Sequence, residues 1–209
     1  SGRGLDYNAI QTLSIRGAQI QALGLGDCVL STSIVNSNGS YSLSVPANSN
    51  VKIRVNARLL NDTGASWDFM VKDNTNGNQL YAMDGAYASS GSTDTIRNLT
   101  APTGWTGNSY SAARSSAPFA ILDTIYSSIE TVTAVDPNVT LPAADIFWSI
   151  HNNTADGELS EGEIGGAFYS ANTIYLLGTA NSDTDEFDEH VVAHEWGHYL
   201  DDNLSRTDT

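Results

Sequence analysis

His194-Glu195-Trp196-Gly197-His198 is the stretch that decides how this chain is read, with Glu189-His190-Val191-Val192-Ala193 before it and Tyr199-Leu200-Asp201-Asp202 after it. Two histidines four apart on a helix differ by about 40° in direction and about 6 Å in height. Both imidazoles can therefore reach one ion beside the helix, at metal–nitrogen distances of about 2.0–2.1 Å. Glu195 is turned by about 100° from His194, so it flanks the ion, where a general base for a metal-bound water belongs. His190 and His194 form a second pair at the same spacing, but only His194 and His198 have a Glu directly after the first member.

The residues around the motif fit a helix. Asp185, Glu186 and Asp188 suit a helix N-terminus, and Asp183 followed by Glu186 reads as a capping box. Phe187, Val191, Val192, Ala193, Trp196 and Leu200 make the helix apolar on most sides, as expected of a buried one. Buried polar groups need partners, so His, Glu and His in such a helix favour a metal site over packing.

Working back toward the N-terminus, strands are predicted at 173–177, around 167–169 and at 145–150. Phe119, Leu122, Ile125, Tyr126, Ile129 and Val132 recur at three and four, giving an amphipathic helix with Pro118 in its first turn. Residues 100–108 are rich in Pro and Gly and mark a boundary. Before them, alternating apolar patterns predict strands at 15–22, 28–35, 41–45, 51–57, 67–71 and 79–83. Asn74-Thr75-Asn76-Gly77 reads as a hairpin turn. The turn spacing suits a small β-sandwich.

The 209 residues allow one large or two small domains. Nine Lys and Arg against 24 Asp and Glu give a net charge of −15, which repels nucleic acid and anionic membranes. No run approaches a membrane span. The polar surface is mostly Ser, Thr and Asn, with Lys52 and Lys72 the only lysines, a balance that reads as a secreted, cell-surface or periplasmic bacterial protein. The start Ser1-Gly2-Arg3-Gly4 reads as a chain that has lost an export signal. Cys28 is the only cysteine, which leaves no intrachain disulfide and predicts a small buried side chain in a strand. Residues 152–163 can be laid on a Ca2+ loop, with Asp156, Gly157, Ser160 and Glu163 in ligand or turn positions. Asn152 and Thr154 stand where stronger oxygen ligands are wanted, so a solvated acidic turn is the better reading.

The run Val191-Val192-Ala193-His194-Glu195, then His198, then Asp202, resembles the active-site helix of zincin metallopeptidases of the thermolysin-like type. The resemblance implies Zn2+ held by His194 and His198, Glu195 as catalytic base, and Asp202 as a residue supporting the histidines. Metzincins fit less well, because Asp201 stands where they have Gly and Leu204 where they have His. In the thermolysin-like group the third ligand is a Glu about twenty residues after the second His. The chain stops at Thr209 before reaching it, so it reads as a fragment or processed piece of a longer peptidase, with its activity as given left open. In zincins the strand corresponding to Ile174-Tyr175-Leu176 is the sheet edge over the cleft. A peptide or protein substrate would then add to that edge as a further strand.

Asn38-Gly39-Ser40-Tyr41-Ser42-Leu43-Ser44-Val45-Pro46, with the flanking runs at 16–20 and 51–55, resembles carboxypeptidase regulatory-like domains. It implies a transthyretin-like sandwich with no catalysis of its own. The expected fold is α+β. Residues 1–103 would form a β-sandwich, and 104–209 the N-terminal subdomain of a zincin: a backing helix, a short mixed sheet and the active-site helix. The expected function is zinc-dependent peptide-bond hydrolysis. The alternative is a non-catalytic extracellular binding or adhesion module with a degenerate metal site.

Overall fold

Val51, Ile53, Val55, Ala57 and Leu59 alternate along one strand, and all are buried. In the computed structural model, which describes residues 9–180 and 183–205, this strand is β3 (Asn50–Asn61), the long spine of the sheet. β1 (Ala18–Leu23) pairs antiparallel along one side of it, and β2 (Val29–Ile34) pairs with β1. Along the other side lie β7 (Ala88–Ser89), β6 (Ala82–Asp84) and β4 (Trp67–Asp73) in turn, with β5 (Gln79–Leu80) on β4.

β4 then pairs in parallel with β8 (Ala144–Trp148), and β8 in parallel with β10 (Thr173–Leu176). β9 (Phe168–Ser170) closes the row antiparallel to β10, giving the order β2-β1-β3-β4-β8-β10-β9. The fold is mixed α/β, with one ten-stranded sheet and two α-helices among the described residues, α1 (Ala117–Thr133) and α2 (Glu189–Leu204). Val71, Ile146 and Ile174 stand side by side across the three parallel strands and are fully buried. α1 covers the core with Ile121, Leu122, Ile125 and Ile129, and α2 with Val192, Trp196 and Tyr199. Phe69 of β4 meets Tyr199 edge-on at 5.3 Å, which ties the sheet centre to α2.

Several sequence expectations change. The strands of 1–103 do not form a separate two-sheet sandwich among the described residues: β4, from one side of the expected boundary, carries β8, from the other. Alternation along a strand reports which face is buried, not which strand lies beside it. Residues 41–45 are not a strand, although Tyr41, Leu43 and Val45 do pack against the core. Cys28 is exposed, at the turn before β2. β10 is internal, with both ladders filled, so Ile174, Tyr175 and Leu176 are not an edge. The edge beside α2 is β9. Pro118 does sit in the first turn of α1. The reading of Ser1 to Gly4 lies outside the described residues. No helix among them is long and apolar enough to cross a membrane.

Candidate metal centre

Asp188 starts the motif helix. Its carboxylate accepts from the main-chain N–H groups of His190 at 3.0 Å and Val191 at 3.4 Å, satisfying donors that a helix leaves orphaned. The expected capping box at Asp183 and Glu186 is not formed, because the two acids between Asp183 and Phe187 turn inward. Glu186 is 1% exposed and pairs with Arg114 at 2.6 Å, and it accepts from the Trp148 indole at 3.2 Å. Arg114 also donates to the Gly178 carbonyl. Asp185, 3% exposed, accepts from Leu177 N–H at 2.7 Å. Burial pushes the Asp185 carboxyl up to about 7 against the pull of that N–H, helped by the nearby carboxylates. Burial raises Glu186 too, against the attraction of Arg114. These bonds tie Asp185 and Glu186, just ahead of α2, to the end of β10 and to Arg114.

Once started, α2 buries Val192, Trp196 and Tyr199 and leaves His194, Gly197 and His198 in the open. The helix is therefore amphipathic, not buried on most sides as its sequence suggested. On the open side the His194 and His198 Nε2 atoms lie 3.2 Å apart, with the rings nearly perpendicular at 87°. Two nitrogens bound tetrahedrally at about 2.0–2.1 Å stand about 3.3 Å apart, so the pair fits two corners of a zinc site. His190 makes no such contact with His194 and does not line the groove described next, so the alternative pair is not assembled.

Glu195 is 6% exposed and makes no hydrogen bond or ion pair among the described residues. It opens into a groove of about 620 Å³, lined from α2 by His194, Glu195, His198, Asp201 and Asp202 and from the sheet edge by residues 167–171. The far wall is the β9–β10 hairpin. Ser170 pairs with Thr173 across the two-residue turn Ala171-Asn172, both at positive φ (47° and 59°), the geometry whose twist suits a tight hairpin. Tyr169 reaches from β9 to α2, its hydroxyl donating to Asp202 at 2.7 Å and accepting from Asn172 N–H at 3.0 Å. Burial, and then the Asp202 carboxylate, raise the Tyr169 phenol. Asn203 donates to Asn172 at 2.7 Å, a second tie between helix end and turn.

The structure thus brings His194, Glu195 and His198 together, while Asp202 binds Tyr169 and makes no bond to either histidine. Ile174 and Leu176 are buried in the core, and Tyr175 stacks with Phe168 on the outer face at 4.6 Å. Among the described residues no three His, Cys, Asp or Glu side chains are gathered around one point. In the segment read against a Ca2+ loop, Asn152 is fully buried. Its side chain accepts from Asn74 at 2.9 Å and donates to the Leu176 carbonyl at 2.9 Å, so the loop's first position is turned away from any ion. Sequence reasoning missed β9 as the wall, with Tyr169 and Asp201. The Ala171-Asn172 pair between two short apolar runs was the available turn signal.

Comparison of the chain with protein-family models, curated proteins and solved structures finds no match.

Proposed function

We propose that the chain carries the metal-binding half of a zinc-dependent peptide hydrolase site. The observation that carries this reading is the placement of His194 and His198 Nε2 3.2 Å apart beside Glu195, buried and without a partner among the described residues, on one wall of an open groove. Zinc held there would polarise a scissile carbonyl and make a water molecule more acidic. The two imidazoles would supply two ligands, leaving other positions for water, substrate or a further ligand. Glu195 would take the proton from the attacking water and pass it to the leaving amine, since its carboxylate lines the groove and is tied to no other described residue. The open side of β9 would hold an extended peptide by main-chain hydrogen bonds, aligning it along the histidine face. β9 takes the place that the sequence reading gave to Ile174, Tyr175 and Leu176.

A secreted, cell-surface or periplasmic setting remains part of the proposal, on the strength of the low-lysine, acidic composition. One observation favours the second reading, a non-catalytic binding module: only two ligand side chains converge among the described residues. Glu195→Gln separates the two. The hydrolase reading expects zinc-dependent peptide cleavage by the wild type, and a variant that keeps zinc but loses turnover. Equal cleavage by both proteins would overturn the role of Glu195. Zinc binding with no cleavage by either protein would favour the module.

A further inference from the structure

We infer that the groove selects cationic peptides: a Lys or Arg within about two residues of the bond beside His194 and His198 would lie against Asp201 and Asp202. This deepens the hydrolase reading and rests on it for the position of the bond. Asp201 and Asp202 both line the groove, one turn beyond His198, about 5–6 Å further along the helix. An extended peptide advances about 6.6 Å in two residues and returns to the same face, so the second side chain from the histidines meets these acids.

The acids are available. Asp201 makes no side-chain hydrogen bond or ion pair among the described residues, and Asp202 uses one oxygen on Tyr169. Glu195, more than nine-tenths buried and without a partner among the described residues, lines the same space. Three carboxylates thus face one groove with no Lys or Arg among its described lining residues. The described cations are committed elsewhere. Arg16, Lys52, Arg54, Arg58, Lys72 and Arg114 each pair with a carboxylate in another part of the fold. Arg97 donates to the main-chain carbonyls of Val51, Ala88 and Ser89. With zinc at the histidines offsetting charge at that end, Asp201 and Asp202 leave negative charge one turn further along the groove, where a cationic side chain gains and an acidic one loses.

The test is peptide binding in a zinc-loaded Glu195→Gln background, which holds the peptide uncut. Fluorescein-labelled heptapeptides carrying one Lys, norleucine or Glu at each position in turn are titrated by anisotropy. Lys at one position should bind about tenfold tighter than norleucine, and Glu weaker, with the difference shrinking at ~0.5 M salt. Asp201→Asn, which breaks no bond among the described residues, should reduce the preference to about threefold. Asp201→Asn with Asp202→Asn should abolish it. Asp62→Asn with Asp94→Asn removes the same charge from exposed sites elsewhere and should leave the preference intact. An unchanged preference in the groove variants, an equal loss in the distant ones, or no binding of any peptide would overturn the inference. A Lys preference without cleavage in the wild type would sink the hydrolase reading alone, and cleavage without the preference would sink this inference alone.

Discussion

Arg114→Met should be among the most damaging single changes outside the groove. Arg114 and Glu186 meet at 2.6 Å with side chains 4% and 0% exposed. Removing the guanidinium leaves Glu186 buried with only neutral donors, the Trp148 indole and its own main-chain N–H, and leaves the Gly178 carbonyl without the guanidinium. Breaking a buried pair from one side costs about 3–5 kcal/mol, a large part of the 5–15 kcal/mol that holds a typical domain together. The loss should depend on pH in a defined sense. Burial already raises Glu186 above its ordinary 4.5, and Arg114 is the charge that opposes the rise. In the variant the folded carboxyl therefore holds its proton to higher pH than the unfolded one. The cost is then smallest below about 4.5 and grows as pH rises through the folded value. Arg114→Met with Glu186→Gln removes the stranded charge and should cost only about 1–2 kcal/mol. Urea unfolding followed by tryptophan fluorescence at pH 5 and pH 8 measures all three proteins. A loss under about 1 kcal/mol for Arg114→Met, the same at both pH values, would refute the reasoning.

Other changes follow from the same geometry. Asp185, held near 7 when folded against an ordinary 3.8, binds more protons folded than unfolded, so its contribution weakens as pH rises toward 8. Asp185→Asn keeps an acceptor for Leu177 N–H and should gain stability over wild type between pH 5 and 8, by at most about 4 kcal/mol, in urea titrations at each pH. Ala171 sits at φ 47°, and Ala171→Gly should raise the melting temperature by relieving about 1 kcal/mol of left-handed strain. Gly197 lies mid-helix on the open face, where an added methyl meets nothing within 4 Å. Gly197→Ala should stabilise by about 0.5–1 kcal/mol, measured the same way, without altering zinc binding.

The parts of this fold that repeat a pattern along the chain were legible in the sequence. Apolar spacing placed α1, and alternation placed the starts of β3 and β4, which run on to Asn61 and Asp73, past the expected 57 and 71. The five-residue motif placed both histidines and Glu195 on one helix, and the contact at 3.2 Å follows from their spacing. Neighbours in space were not legible. β8 could reach β4 only after the chain had passed through β5, β6, β7 and α1, and no local pattern records that pairing. The start of α2 was misjudged because Asp185 and Glu186 look like solvated first-turn acids. Their partners, Leu177 N–H and Arg114, are supplied from outside the helix. β9 was underrated because three residues carry too little periodicity to distinguish an edge from an interior strand.

The central claim is that His194 and His198 together hold one zinc ion while Glu195 does not. Calorimetric zinc titration of the wild type, His194→Ala, His198→Ala and Glu195→Gln tests it directly. The wild type and Glu195→Gln should bind one equivalent with similar affinity, and each histidine variant should lose at least tenfold. Equal zinc binding by His198→Ala and the wild type would contradict the assignment.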